Sequence, residues 1–480
     1  MTAEHANHRD VIGDPHYGRL KTLVLETTGL AYYADKDDVL ADRIGRRLRH
    51  LGLQDCATYL NLVTERQLGQ REFDALVADL TVGETFFFRY PQQFDALRDI
   101  VLPACIERNK RNRCLRIWSA GCATGAEPYS LAILLKHAMG AQIDGWQVTI
   151  LGTDINRDFL SRAQDGCFGE WTLRGLPEPL KHSCFTRSGE KWILKDEYRQ
   201  WTSFQYHNLV KHPVPSLVNN LAAFDIILCR NVMIYFNLEI ISTLVRHFQE
   251  CLVEGGWLLV GHAEPTFELN RIFTAVSTAG ATVYRKTNGQ PAPAPVATSA
   301  ATVTAWPGAL DQWKVPDLGP LPQNRSRRPP STPPAAIAAA EMPTRPTVPI
   351  ATALADVVAL ANRGELAEAA RRCRTVIKAD TLNPASHFYH ALILEQMGSR
   401  SEAMEALQRV IYLDRNYPLA HYHLGLLSHA RGDGRRAGRH FSNVLTILAK
   451  MGDGEVLLGG DGLKASELKE LVQLQLEILN

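Results

Sequence analysis

A chain of 480 residues, 45% hydrophobic and 21% charged, has room for two to four domains and the balance of an ordinary globular protein. Its net charge of +1 gives no whole-molecule attraction to nucleic acid or to a membrane surface, so any electrostatic steering has to be local. Nine cysteines, never spaced C-x-x-C, argue for reduced thiols and against a zinc cage, and the sixteen histidines form no H-E-x-x-H. The polar opening MTAEHANHRD does not read as a signal peptide, and no apolar run approaches the roughly 20 residues of a membrane span. A cytoplasmic protein is expected, with no metal, no nucleic-acid partner and no membrane insertion.

Residues 16–80 read as short helices. Leu40, Ile44, Leu48 and Leu51 repeat at helical spacing, and the same helix carries Arg43, Arg46, Arg47 and Arg49. These four arginines are either a solvated face or a basic surface that docks an acidic helical partner. The run Thr85–Arg89 (TFFFR) follows. Three consecutive phenylalanines cannot share one side of a helix or strand, so they suggest a buried junction between domains. Arg89 beside them needs an anion, whether a structural carboxylate or a substrate carboxylate.

From residue 91 the pattern becomes α/β. Strands are expected at Leu115–Ser119, Gln147–Gly152, Phe224–Leu228 and Gly256–Gly261, with helices at Glu127–Met139, Arg157–Ala163 and Glu239–Val253. Thr274–Lys286 reads as a hairpin closing the sheet, and the irregular, aromatic-rich stretch 166–206 as an inserted subdomain. The organising stretch is Leu115–Ser130, LRIWSAGCATGAEPYS. An apolar strand ends in small residues, and Glu127-Pro128 opens a helix, the unit that cradles nucleotides in doubly wound domains. Gly121 and Gly125 are spaced G-x-x-x-G, which serves strand-to-helix geometry as readily as ligand approach. The second strand ends in Thr153-Asp154, where an acid can hold a ribose diol. A glycine turn without the pyrophosphate fingerprint, joined to a ribose acid, fits S-adenosylmethionine.

Residues 291–350 hold fourteen of the 25 prolines and read as an extended, disordered linker in which Arg325, Arg327 and Arg328 are solvating charges. Beyond it Gly364, Gly398 and Gly432 stand 34 residues apart, as do Ala369, Ala403 and Ala437, and Val376, Val410 and Val444; Pro384 and Pro418 keep the same interval. This is the tetratricopeptide period, in which helix pairs stack to form a groove. Ser466–Leu479 supplies an amphipathic cap.

Taken together, TFFFR (85–89), IWSAGCATGAEPYS (117–130), TDIN (153–156), HNL (207–209), CRNVMIYF (229–236) and GHAE (261–264) resemble the CheR-type chemoreceptor glutamate O-methyltransferases over roughly residues 16–287. The resemblance implies a Rossmann-like S-adenosylmethionine methyltransferase domain, preceded by a small all-α domain and followed here by an all-α tetratricopeptide repeat module. The expected division is 1–90 helical, 91–287 methyltransferase, 288–349 linker, 350–450 three repeats and 451–480 capping helix. Carried over by motif, Thr85 and Arg89 bind the cofactor, with Arg89 at the methyl-transfer site and catalytic, Gly121 lies in the cofactor turn, and Glu127 at the cofactor's amino end. Asp154 takes the ribose, Asn208 and Leu209 flank the adenine, Arg230 and Asn231 line the pocket, and Tyr235 is catalytic.

Three departures stand out. Gly83 replaces a common Asn, Ala126 a common acid, and 187–194 lacks the glycine-rich loop that docks a receptor pentapeptide in some members. Implied partners are methyl-accepting receptor helices, met by Arg43, Arg46, Arg47 and Arg49, and a second protein in the repeat groove. Deleting residues 291–480 is then expected to leave methyl transfer largely intact. A second reading stays open: a catalytically weak cofactor-binding scaffold that docks chemosensory proteins through its repeats.

Overall fold

The computed structural model describes residues 11–65, 68–287 and 350–479. Most of the proline-rich stretch, with its three arginines, therefore lies outside the described residues. The N-terminal bundle consists of α1 (Tyr17–Thr28), α2 (Asp37–Leu51), α3 (Cys56–Thr64) and α4 (Leu68–Leu80). Leu40, Ile44 and Leu48 of α2 turn into its core as their spacing demands, but Leu51, at the helix end, is exposed. Two helices without a sequence forecast, α5 (Pro91–Ala96) and α6 (Leu102–Asn109), are joined by a wide helical turn and lead into the sheet.

The α/β domain carries β1 (Cys114–Ala120), α7 (Ala126–Met139), β2 (Gln147–Asp154), α8 (Arg157–Asp165), β3 (Cys167–Gly169), α9 (Glu178–Cys184), β4 (Phe185–Ser188), β5 (Lys191–Leu194), β6 (Thr202–Tyr206), β7 (Phe224–Cys229), α10 (Leu238–Cys251), β8 (Leu252–Val260), α11 (Phe267–Ile272), β9 (Thr274–Thr278) and β10 (Ala281–Arg285). Seven strands form one sheet in the order β6-β2-β1-β7-β8-β10-β9. The first five run parallel, and the β9–β10 hairpin closes the edge antiparallel, as expected. Parallel strands are covered on both faces, and the side chains alternate between two cores. Leu115, Ile117, Ile226 and Leu228 enter one; Trp118, Ala120, Ile227 and Cys229 enter the other.

Two boundaries differ from the sequence reading. The inserted unit is a small sheet, β3-β5-β4, but β6 leaves it and pairs with β2 from Ile150↔Thr202 to Asp154↔Tyr206, so Thr202–Tyr206 belongs to the main sheet. The helix expected to run to Val253 ends at Cys251, because Leu252 turns extended and begins β8 without a loop.

The repeats are three helix pairs: α12 (Ile350–Asn362) with α13 (Leu366–Ala379), α14 (Pro384–Gln396) with α15 (Arg400–Leu413), and α16 (Pro418–His429) with α17 (Gly434–Leu448), followed by α18 (Ala465–Leu479). The 34-residue series has a physical basis. Gly364, Gly398 and Gly432 turn each pair at φ of 82°, 79° and 79°, a left-handed conformation that favours glycine. Ala369, Ala403 and Ala437 are fully buried in the core between the helices, where interiors are close-packed. Pro384 and Pro418 open α14 and α16, at the first helical position, where a missing N–H breaks no bond.

Candidate functional site

Strand order reverses between β1 and β7, and an open parallel sheet splits into a crevice at the C-terminal ends of its strands at such a point. A cavity of about 400 Å³ opens there, with Tyr32 and Arg43 of the helical bundle in its wall. That volume suits a small organic ligand. Every residue assigned to the cofactor or to catalysis reaches this cavity. Thr85, Arg89, Gly121, Glu127 and Asp154 line it from the first half of the domain. Asn208, Leu209, Arg230, Asn231 and Tyr235 line it from the second.

Asp154 ends β2. Its Oδ2 accepts from the Ala123 N–H at 2.9 Å and its Oδ1 from the Asn156 N–H at 2.8 Å. Burial outweighs these bonds and pushes its carboxyl up to about 6. The carboxylate keeps lone pairs for further donors, as a pair of neighbouring hydroxyls requires. Asn208 follows β6. Its amide is committed elsewhere, donating to the Thr27 carbonyl at 2.7 Å and accepting from the Val210 N–H at 2.9 Å. It therefore ties the helical bundle to the pocket wall, while Leu209 adds an apolar surface.

A second cluster surrounds Glu127. Its carboxylate accepts from the Ser119 hydroxyl at 2.7 Å and pairs with Arg230 at 2.8 Å. The Arg230 guanidinium also donates to the Arg89 carbonyl, so two site residues share one buried cation. Removing either partner of such a pair leaves an uncompensated buried charge. Arg89 is different. Its guanidinium donates to the Glu84 carbonyl at 2.9 Å and lies against the Phe86 and Tyr90 rings, with no ion-pair partner among the described residues. Phe87 and Phe88 fill the junction behind it, and Phe86 faces the cavity. Tyr235 meets Tyr32 edge-to-face at 6.3 Å, and desolvation raises its hydroxyl above the usual phenol range, keeping it a donor.

The backbone here is strained. Phe88, Tyr90, Ala123 and Asn231 all have positive φ, between 48° and 61°, which non-glycine residues adopt only when their surroundings enforce it. Gly121 lets the Asn231–Val232 turn approach: a Cβ there would stand 2.3 Å from Val232 Cγ2. Glu264 holds that turn from behind, its Oε1 accepting from the Val232 N–H at 3.1 Å. Sequence reasoning gave Glu264 and His207 no role, although both sat inside the GHAE and HNL motifs. It missed Tyr32, which no motif marks.

The four arginines of α2 do not form one surface. Arg47 turns inward, bidentate to Glu72 at 2.8 and 2.7 Å, while Arg43 enters the cavity wall. Arg46 pairs with Asp42 on the surface, and Arg49 is exposed. Of the four, Arg46 and Arg49 alone are exposed on the surface. Arg47→Ala is expected to cost about 3 kcal/mol, because Glu72 is left buried without its cation, whereas Arg49→Ala stays within about 0.5 kcal/mol. Urea unfolding of the two variants measures the difference.

Residues 15–81 match the family model described as "CheR methyltransferase, all-alpha domain", and residues 83–281 match "CheR methyltransferase, SAM binding domain". The chain is 32% identical over 249 residues to the chemotaxis protein methyltransferase of Borreliella burgdorferi, covering 51% of this chain and 86% of that relative. It is 33% identical over 282 residues to the chemotaxis protein methyltransferase of Escherichia coli, covering 58% and 92%. Part of the chain is similar to the type III secretion chaperone SycD of Yersinia enterocolitica in complex with a peptide of the translocator YopD. That match has 13% identity, a TM-score of 0.24, and covers 27% of this chain and 91% of that chain.

Proposed function

This chain belongs to the CheR family of chemotaxis protein methyltransferases, and we propose that it esterifies glutamate side chains on the cytoplasmic signalling helices of methyl-accepting receptors. The observation that carries this reading is the convergence of all ten motif residues on one cavity, into which Arg89 presents a guanidinium with no ion-pair partner among the described residues. S-adenosylmethionine, the cofactor of the family's domain, supplies an electrophilic methyl group on a sulfonium. The residues present fit it: an acceptor-only carboxylate for hydroxyls at Asp154, apolar walls at Leu209 and Ile155, and a mixed-charge cluster for an amino-acid end at Glu127 and Arg230.

A substrate glutamate, with an ordinary carboxyl pKa of about 4.3, is ionised at neutral pH, so no residue has to remove a proton. What the chain has to do is aim it. Arg89 draws the carboxylate in and orients it with its planar fork. Tyr235 donates a hydrogen bond at the cavity rim, and the Arg230–Glu127 pair fixes the Arg89 backbone beneath. Too strong a clamp on the charged carboxylate would stabilise the reactants more than the transition state, in which that charge is dispersed. One guanidinium shared with the Glu84 carbonyl suits this demand. Acting on the cytoplasmic helices of receptors is work for a cytoplasmic protein. The described residues contain no helix long and apolar enough to cross a membrane.

Calorimetry of the full chain with S-adenosylhomocysteine is expected to show one site. Incubation with labelled cofactor and receptor fragments is expected to yield base-labile methyl groups. Binding without transfer would identify a scaffold in place of an enzyme.

A further inference from the structure

The repeats carry an apolar face, and it is not open. Leu217 and Val218, in the segment that leads into β7, are 1% and 2% exposed, and the cluster that buries them is that of the repeats. The return between α17 and α18 lies over the same face. Leu457 is buried in that cluster, and a Cβ at Gly459 would come 2.6 Å from the Tyr417 hydroxyl and 3.4 Å from Phe388. Asp461 closes the contact: its carboxylate accepts from the Ser216 hydroxyl at 3.3 Å and faces the backbone of Leu217 and Val218. The contact continues at the start of β2, where Gln147 Nε2 donates to the Gly398 carbonyl at 3.0 Å, and at the start of α8, where Arg157 lies 3.8 Å from Glu470 of α18.

The segment held in this way begins at the cavity. Asn208 and Leu209 line the pocket, and a short run of chain joins them to Ser216–Val218. We propose that the repeat face is the seat of the Ser216–Val218 loop, and that its seating sets the affinity of the pocket for the adenosyl cofactor. The proposal rests on the reading of the cavity as the cofactor site. A seated loop holds the Asn208–Leu209 wall in place before the cofactor arrives; an unseated one has to be ordered on binding, which lowers the apparent affinity. A polypeptide that takes the repeat face therefore displaces the loop and weakens cofactor binding, and by linkage the bound cofactor strengthens the seat.

The chemistry of the seat also defines its competitor: an extended segment with a small hydroxyl side chain followed by two aliphatic ones, its N–H groups free to meet the Asp461 carboxylate. Deleting residues 291–480 strips the cover from Leu217 and Val218, so on this proposal the truncation weakens cofactor binding.

The test uses the full chain with Asp461→Gly, which removes the carboxylate at a position whose φ of 52° glycine adopts freely, and with Asp461→Asn, which keeps one acceptor. Hydrogen exchange across 208–221 is expected to quicken in Asp461→Gly, and affinity for S-adenosylhomocysteine to fall about fivefold by calorimetry, with Asp461→Asn between it and the unsubstituted chain. Unchanged exchange would mean that the seat does not hold the loop. Faster exchange with unchanged affinity would mean that seat and pocket are uncoupled. Either result overturns the proposal, whereas failure of the unsubstituted chain to bind the ligand would overturn the cofactor reading beneath it.

Discussion

Arg89→Ala is expected to lower kcat/KM for methyl transfer by about 10²–10³-fold, the scale of losing one preorganised charged donor, while affinity for S-adenosylhomocysteine stays unchanged. The separation of the two effects follows from the contacts. Among the described residues the side chain's hydrogen bond runs to the Glu84 carbonyl, so truncation leaves no buried anion unpaired there. The group that the cofactor cluster needs from this residue is its carbonyl, which accepts from Arg230 and survives the substitution. Arg89→Lys is expected to recover only part of the rate, because it restores the charge without the planar fork. Single-turnover label transfer at saturating cofactor, paired with calorimetry, separates the two quantities.

Asp154→Ala is expected to act on the cofactor itself. Hydrogen bonds to a charged acceptor contribute about 1.5–3 kcal/mol each, so losing two of them weakens binding by about 10²–10⁴-fold. The unsubstituted chain carries a pH signature of the same contact. Folding raises the Asp154 carboxyl from 3.8 to about 6, so the native group is ionised at neutral pH and takes up its proton as pH falls through about 6. A protonated carboxyl gives up acceptor capacity to the hydroxyls it would hold, so affinity for S-adenosylhomocysteine is expected to fall as pH drops below about 6. The Asp154→Ala variant is expected to lose that dependence. Calorimetric titrations between neutral and mildly acidic pH distinguish the two.

Much of this site was legible in the chain because its determinants are local. The apolar strand into Gly121 and the acid at the tip of β2 are read from neighbours in sequence, and their convergence follows from parallel pairing at Ala120↔Thr153. The repeats announced themselves because the same turn and the same buried alanine recur at one period. The sequence did not separate the arginines of α2, and helix geometry does: Arg43 and Arg47, each three residues after one stripe leucine or isoleucine and one before the next, flank the buried stripe, while Arg46 and Arg49 point away from it. Edge strand β6 escaped because Thr202–Tyr206 is short and half polar, and its strand character comes from pairing with β2. The seat at Asp461 lay beyond any local signal, since its partner Ser216 is 245 residues away in sequence.

The central claim is that a glutamate carboxylate presented beside Arg89 receives the methyl group. Tandem mass spectrometry of a receptor signalling-helix fragment, after incubation with the full chain and S-adenosylmethionine, tests it most directly. The account predicts the mass of one methyl on glutamate side chains, removed by mild base and absent with Arg89→Ala. A methyl found on lysine or on another residue type, or none on a fragment incubated with cofactor-saturated protein, would contradict it.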